Sequence, residues 1–331
     1  MTVTPNAEFT AKPGTAGAVR SPHSVIVIGE ALTDIVVRPE GVTEHPGGSP
    51  MNVAIGVARL GDAVELITRL GADDRGMIAQ SHIEESGVTL SSGSIVSEPT
   101  STATARLDET GAAIYEFDIR WSLEPLDRLP PAVVVHTGSV AAFLEPGAAE
   151  IRRLLADTKA STIVTFDPNI RASLLGERDA ARGTAERLMG LSDVVKLSDE
   201  DAEWLYPAVS HSDVLDHIRS LGPALAIITR GADGAVLASR RGTVNAPGLT
   251  VTVADTIGAG DSFMSAVIHS IVELISEKES STSVSDGTAF TPAVLTQIGT
   301  FAVRCAAITV SRSGANPRVW QKSTADLPSR A

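Results

Sequence analysis

Cysteine and aromatic residues are scarce in this chain of 331 residues. The single cysteine, Cys305, cannot form an intrachain disulfide, and its apolar neighbours predict a buried thiol in a reducing compartment. Aromatic residues make up only 4% of the chain, so a core must depend on Ala, Val, Leu and Ile. The length and the 43% of hydrophobic residues suffice for one large globular domain.

Positively charged residues are also few, since the chain has 27 Lys and Arg residues and 40 Asp and Glu residues. The formal net charge of −13 leaves no broad basic surface to neutralise phosphates, which argues against a nucleic-acid or anionic-membrane partner. No run of eighteen apolar residues occurs, and residues 1–23 lack the apolar core of a secretory signal. We therefore predict a cytoplasmic protein whose ligands are small molecules.

Three common catalytic signatures are missing. The 7 His residues and the lone Cys show no zinc-ligand spacing, which excludes a typical metallohydrolase. No serine lies in a nucleophile elbow. Gly29, after the first predicted strand, is not followed by the G-x-G-x-x-G fingerprint of a dinucleotide-binding dehydrogenase.

The stretch DTIGAGDSF at residues 255–263 has the pattern of an anion site. Gly258, Ala259 and Gly260 allow a tight turn whose backbone N–H groups face outward without side chains in the way. A helix is predicted directly after it, from an apolar stripe at helical spacing formed by Phe263, Val267, Ile271 and Leu274. The positive end of this helix would point into the glycine turn and attract an anion.

Asp261 lies at the predicted entrance of this helix. A carboxylate there could take a proton from an alcohol that attacks a phosphoryl group held by the neighbouring amides. Asp is also a favoured capping residue, and glycine turns before helices are common. The stretch alone leaves both interpretations open.

A second helix is predicted in GGSPMNVAIGVARLG at residues 47–61. Ser49 and Pro50 form a good N-cap and first-turn pair, and Gly61 ends the helix. Asn52 would lie near its beginning, where its amide can both donate and accept hydrogen bonds from a polyol. In an isolated helix the same residue would be a solvated first-turn side chain.

Strands and helices alternate along much of the chain, which predicts a mostly parallel sheet covered on both faces. The predicted strands are Ser24 to Ile28, Val133 to Thr137, Thr162 to Phe166, Val194 to Leu197 and Leu225 to Thr229. Asp34 follows the first strand closely, near the edge where ligands gather in such sheets. A hairpin within Ser101 to Trp121 and short strands at residues 35–38 and 43–46 predict a small separate sheet.

Four segments together resemble the ribokinase-like (PfkB) family of carbohydrate kinases, and among them its fructokinase-like members. They are GEALTD at residues 29–34, the two stretches at 47–61 and 255–263, and FDPNIR at 166–171. The resemblance spans about residues 24–320 in the family's order. It implies an α/β, ribokinase-like three-layer fold with a mostly parallel central sheet and a small β-sheet lid.

The resemblance also implies roles for individual residues. Asp261 would be the general base, and the amides of Gly258, Ala259 and Gly260 would stabilise charge on the transferred phosphoryl group. The substrate-binding residues would be Asp34, Gly47, Gly48, Asn52, Arg106, Phe117, Asn169 and Arg171. The nucleotide-binding residues would be Lys196, Ser198, Thr229, Gly231, Gly258, Gly260 and Asn316.

The segment KLSDEDAE at residues 196–203 departs from the family pattern. The family often carries Asn-x-x-Glu there, a motif tied to magnesium and phosphate, and Ser198 and Asp201 occupy the matching positions. Asp201 could still contact magnesium through water, because this ion keeps much of its hydration shell. Glu200 or Glu203 are alternatives, and an acidic first turn favoured by the helix dipole is another.

The expected reaction is transfer of the γ-phosphoryl of ATP to a primary hydroxyl of a small sugar, with magnesium on the nucleotide. Fructose is the first choice, on the resemblance of the motifs. Asp255 and Ile257 resemble backbone positions that bind a monovalent cation such as potassium in several relatives. Three alternatives stay open. One is a 2-keto-3-deoxygluconate kinase, in which Arg171 or Arg106 pairs with the sugar acid. The others are another PfkB-type kinase, such as a nucleoside kinase, and a non-catalytic sugar sensor.

The predicted organisation places one kinase domain at residues 24–320, with lid strands near 35–46 and 101–121. Residues 1–23, rich in Thr, Ala, Pro and Gly, are predicted to be a disordered leader, and 321–331 a C-terminal tail. Lid strands with exposed edges could pair between subunits, which leaves a homodimer through the lid open.

Overall fold

A large central sheet flanked by helices dominates the computed structural model, which describes residues 24–38, 40–107, 113–158, 162–277 and 280–312. The strands are β1 Val25–Ile28, β2 Leu32–Arg38, β3 Gly41–Gly47, β4 Val64–Ile67, β5 Leu70–Gly71, β6 Val88–Leu90, β7 Ile95–Val96, β8 Thr102–Leu107, β9 Ala113–Asp118, β10 Val134–Gly138, β11 Ile163–Asp167, β12 Val194–Ser198, β13 Leu225–Thr229, β14 Ala235–Ser239 and β15 Gly242–Ala246. The α-helices are α1 Ser49–Leu60, α2 Asp74–Glu85, α3 Gly147–Thr158, α4 Ala172–Leu175, α5 Arg178–Gly190, α6 Asp199–Leu205, α7 His211–Ser220, α8 Ala259–Glu277, α9 Ser281–Ser285 and α10 Pro292–Val310. Short 3₁₀ turns occupy Val140–Ala142 and Gly231–Asp233.

The central sheet has the strand order β15-β14-β13-β12-β11-β10-β1-β4-β6. The strands from β13 to β6 run parallel, while β14 and β15 form an antiparallel edge. Helices α1, α8 and α10 cover one face, and α3, α5, α6 and α7 cover the other. The three-layer α/β fold with a mostly parallel sheet is therefore confirmed.

A second, four-stranded sheet in the order β3-β2-β8-β9 stands apart from the central one. It is the small lid sheet expected from the resemblance, and its strands are longer than predicted, because β2 begins at Leu32 and β3 at Gly41. β2 leaves the central sheet directly after β1, and β3 leads directly into α1. The lid is thus connected to the carboxyl edge of the main sheet. The predicted turn at residues 108–111 lies outside the described residues.

Helix α1 begins one residue earlier than a Ser49 cap requires. The N-cap is Gly48, with φ at 111°, a value that a residue with a Cβ rarely adopts. Pro50 lies in the first turn and Gly61 ends the helix at φ 110°, as predicted. Because Ser49 is already helical, the prediction that its hydroxyl caps this helix is wrong.

Helix α10 has the length and the mean hydropathy of 1.5 that also fit a membrane span. Its buried residues, which include Leu295, Ile298 and Ala302, belong to the apolar core between the sheet and α8. A core helix meets the same criteria of length and composition as a membrane span. The short helix α9 lies between α8 and α10.

Candidate active site

The carboxyl ends of β1, β11 and β12 meet the first turns of α1 and α8 at one edge of the sheet. Asp261, in the first turn of α8, is only 8% exposed. Its Oδ1 accepts a hydrogen bond of 2.7 Å from the Ser49 hydroxyl, and its Oδ2 accepts one of 2.8 Å from the Asn52 amide. Ser49 and Asn52 are three residues apart, so they share one face of α1. The carboxylate is thereby held at the junction of the two helices.

The glycine turn lies directly before Asp261. Gly258 adopts φ 77°, and its carbonyl accepts the N–H of Ser262, so the turn closes onto the first turn of α8. A Cβ at Gly260 would lie 3.1 Å from the Lys196 ammonium nitrogen. The Lys196 ammonium, 2.8 Å from Asp167 Oδ2, is therefore next to the turn. The N-terminus of α8 and this ammonium together make the region attractive to an anion.

Asp34 lies on the lid strand β2 and faces the same region. The pKa of Asp34 is raised to about 6, chiefly by burial. The positive charges of Arg171 and His45 oppose this rise, and the nearby charge of Asp261 adds to it. A Cβ at Gly47 would lie 1.9 Å from Asp34 Oδ2, so only glycine leaves room for this carboxyl group. The site therefore brings together Asp34, Asn52 and Asp261, which the sequence places far apart.

The register of the lid sheet decides which side chains share the face of Asp34. His45 and Ala103 pair with Asp34 on either side, and Phe117 pairs with Ala103. Paired residues of neighbouring strands point to the same face of a sheet. His45, Asp34, Ala103 and Phe117 thus form one row across the same face of the lid.

Arg106 lies on the opposite face of the lid. It is three residues after Ala103 on β8, and side chains alternate along a strand, so it points away from Asp34. Its guanidinium is 3.2 Å from the Glu116 carboxylate, and both side chains are largely exposed. The prediction that Arg106 contacts the substrate is corrected for this reason.

Asn169 and Arg171 form a short loop after β11. Asn169 adopts φ 40°, and its side-chain oxygen accepts a 2.9 Å hydrogen bond from Arg171 Nη1. The Ile170 N–H donates to Asp201 Oδ1 at 2.8 Å, which ties this loop to α6. The positive charge of Arg171 opposes the rise in the pKa of Asp34, so it reaches the part of the site where Asp34 lies.

The predicted nucleotide residues follow β12 and β13. Ser198 caps α6, accepting the Asp201 N–H at 3.0 Å, and Asp201 Oδ2 accepts the Ser198 N–H at 3.1 Å. The Thr229 hydroxyl donates to the Leu197 carbonyl at 3.3 Å, and Gly231 opens a 3₁₀ turn at φ 51°. Asn316 lies outside the described residues.

Neither predicted cation position forms a complete metal cage. Among the described residues, no group of three or more His, Cys, Asp or Glu side chains could hold a metal ion. Both Asp201 oxygens accept backbone N–H groups, and each keeps a second lone pair for a water. Magnesium is commonly held by phosphates, waters and one or two carboxylates, so these donors fit a metal that arrives on a nucleotide. Asp255 Oδ1 accepts the Ile257 N–H at 3.0 Å, within the turn where a monovalent cation is predicted.

Two side chains of this region were not predicted as site residues. Glu30, 3% exposed at the end of β1, accepts the Ala141 N–H at 3.0 Å, and burial raises its pKa to about 7. The sequence feature that indicates a functional role for Glu30 is its place in GEALTD, just after the carboxyl end of the first strand. The sequence around Ser49 indicates a helix cap and not a site residue, because Ser before Pro is the usual pattern of a cap.

Comparison with known proteins identifies the family. The family described as pfkB family carbohydrate kinase matches residues 22–322. A fructokinase of Klebsiella pneumoniae is 33% identical over 260 residues, which cover 73% of this chain and 82% of that protein. The chain belongs to the pfkB family of carbohydrate kinases and is an ATP-dependent sugar kinase.

Solved structures show the same fold. Fructokinase from Xylella fastidiosa with bound ATP superposes with a TM-score of 0.76 at 25% identity, covering 89% of this chain and 95% of that one. Fructokinase from Vibrio cholerae O395, bound to fructose, ADP and calcium, gives a TM-score of 0.75 at 25% identity, with the same coverages of 89% and 95%. A double mutant of the Vibrio enzyme was solved with fructose, ADP and potassium.

Proposed function

We propose that this kinase phosphorylates a primary hydroxyl of fructose. The observation that carries the proposal is the position of the Asp261 carboxylate, between the polar sugar-side residues Asp34 and Asn52 and the glycine turn at residues 258–260. The relatives named above are fructokinases, and one of them was solved with fructose bound. Their identity of 25–33% supports fructose as the first substrate to test.

In the proposed reaction the sugar lies between the lid and α1. Asp34 and Asn52 bind its hydroxyl groups, and the lid row with His45 and Phe117 covers it and keeps out water that would compete as an acceptor. Asn169 and Arg171 approach from the loop after β11. These contacts orient one primary hydroxyl toward Asp261.

Asp261 acts as the general base. Each of its oxygens already accepts one hydrogen bond, and a second lone pair can accept the substrate hydroxyl. The hydroxyl oxygen bonds to the γ-phosphorus of ATP, the bond from that phosphorus to the bridging oxygen breaks, and the hydroxyl proton passes to Asp261. ADP and the sugar phosphate are the products.

The nucleotide lies on the opposite side of the glycine turn. The N–H groups at residues 258–260 and the N-terminus of α8 stabilise charge on the transferred phosphoryl group. Ser198, Thr229 and Gly231 would line the nucleotide site, and Asp201 would contact magnesium through water. When bound, magnesium neutralises charge on the phosphates. Potassium would bind at the turn with Asp255 and Ile257.

Three further properties are part of this proposal. The protein acts in the cytoplasm, where ATP and free sugars are available. Residues 24–320 form its kinase domain, with the lid as an extension of that domain. A homodimer could form through the lid, because β3 is an edge strand whose residues 41–45 are exposed.

ATP turnover tests the substrate. ADP release is measured with fructose, ribose, 2-keto-3-deoxygluconate and adenosine, and the product with each acceptor is identified by mass spectrometry. The proposal expects the highest kcat/KM for fructose. A higher value for 2-keto-3-deoxygluconate would make the sugar acid the substrate, and sugar binding without turnover of any acceptor would indicate a sensor.

A further inference from the structure

Lys196 and Asp167 form an ion pair beneath the floor of the site. The ammonium nitrogen lies 2.8 Å from Asp167 Oδ2, and the two side chains are only 4% and 1% exposed. Asp167 Oδ1 has no hydrogen-bond partner among the described residues. Removing two charges from water costs several kcal/mol for each ion, so an ion pair at this depth is weak evidence of a role in stability. A role in the reaction would account for it better.

The position of the ammonium indicates that role. A Cβ at Gly260 would lie 3.1 Å from Lys196 Nζ, so the charge is directly against the turn that precedes Asp261. The side chain is only 4% exposed and lies between Asp167 of β11 and the first turn of α8. Its charge therefore acts on the site through the glycine turn.

The charged groups around Lys196 come from several elements. Asp167 on β11, Asp201 on α6 and Asp261 on α8 raise the pKa of the ammonium, against the opposing effect of burial. His136 on β10 stays neutral, because burial and the nearby Lys196 lower its pKa to about 3. Asp34, in the lid, adds a carboxyl group near Asp261. Lys196 is thus a cation in direct contact with Asp167 and under the influence of the carboxylates of Asp201 and Asp261.

We propose that Lys196 is a positioning residue that supplies a fixed positive charge under the turn at residues 258–260, and that Asp167 holds it there. The inference rests on the proposed function of this turn. The charge favours the additional negative charge of a γ-phosphate over the turn. ADP, which has no phosphate at that position, should be little affected.

The test compares Lys196→Met with the double variant Lys196→Met/Asp167→Asn. The single variant leaves Asp167 buried without its cation and should unfold at a lower temperature. The double variant removes both charges, so its folding should recover. A matched control, Asp62→Asn/His269→Gln, removes another poorly exposed pair, joined at 2.7 Å and located two turns further along α8. The three proteins are compared with wild type by thermal unfolding, kinetics and calorimetry.

Kinetics give the first readout. The double variant should show kcat reduced on the order of 10–100-fold and a fructose KM within about twofold of wild type. The control should keep the wild-type kcat and fructose KM. Recovery of both folding and wild-type kcat in the double variant would overturn the inference. The Lys196–Asp167 ion pair would then have a structural role only.

Calorimetry gives a readout that needs no turnover. The double variant should bind a non-hydrolysable ATP analogue about fivefold or more weakly, while its ADP affinity stays at the wild-type level. Equal affinities of variant and wild type for the analogue would overturn the inference. Because this measurement does not depend on the sugar, it separates failure of the Lys196 inference from failure of the proposed fructokinase activity.

Discussion

Replacing Asp261 with Asn removes the proposed base and keeps most of its contacts. The Asn carbonyl can accept the hydrogen bond from Asn52, and the new amide group can donate to the Ser49 hydroxyl, which reverses its role. Two charge-assisted hydrogen bonds become neutral ones, at a cost of about 1 kcal/mol each. The variant should therefore fold and unfold only a few degrees below wild type.

The loss in turnover should be much larger. General-base catalysis contributes about 10²–10⁴-fold, which corresponds to about 3–5 kcal/mol of barrier. Because the proposed sugar contacts at Asp34 and Asn52 remain, the fructose KM should change by less than about threefold. The loss thus appears in kcat, and the contributions to stability and catalysis can be told apart.

The assay is ADP release with fructose at saturating ATP, with thermal unfolding measured on the same samples. Glu273→Gln is the matched control, since Glu273 is another carboxylate on α8 and is 56% exposed. It should retain wild-type turnover. Asp261→Asn with kcat within fivefold of wild type would refute the assignment of the base, whatever its stability.

Three other variants test separate parts of the account. Gly47→Ala would place a Cβ 1.9 Å from Asp34 Oδ2 and displace this carboxyl group. The fructose KM should therefore rise about tenfold or more, with little change in the ATP KM. An unchanged fructose KM in steady-state kinetics would contradict this. Glu30→Gln removes a buried carboxyl group whose pKa is raised from 4.5 to about 7. The contribution of this group to wild-type stability is fully present below pH 4.5 and is lost as the pH rises through 7. Denaturant unfolding should therefore find the variant about 1–3 kcal/mol more stable at pH 8 and equal to wild type near pH 4; a variant equally or less stable at pH 8 would argue against the buried charge. Arg106→Ala, on the outer face of the lid, should leave the fructose KM within twofold, and a tenfold rise would restore Arg106 to the site.

The main architecture was accessible from the sequence because its signals are local. The apolar run within Ser24 to Ile28 predicted a buried parallel strand, and β1 spans Val25–Ile28. The strands β14 and β15 were missed because their antiparallel edge lacks the alternation with helices that revealed the others. The two-residue strands β5 and β7 are too short to leave a pattern.

The site was less accessible, because its geometry depends on pairs of elements. Ser49 carries a capping pattern, and only the packing of α1 against α8 shows that its hydroxyl reaches Asp261. The face on which Arg106 lies depends on strand register, and a shift of one residue reverses it. Lys196 was predicted as a nucleotide contact, and its enclosure beside Asp167 became visible only in three dimensions.

A crystal structure with fructose and a non-hydrolysable ATP analogue tests the central claim most directly. The account predicts a primary hydroxyl of fructose within about 2.6–3.2 Å of an Asp261 carboxylate oxygen, with the γ-phosphate over the N–H groups at residues 258–260. A fructose whose hydroxyls all lie beyond hydrogen-bond reach of Asp261, or a γ-phosphate held away from that turn, would contradict it.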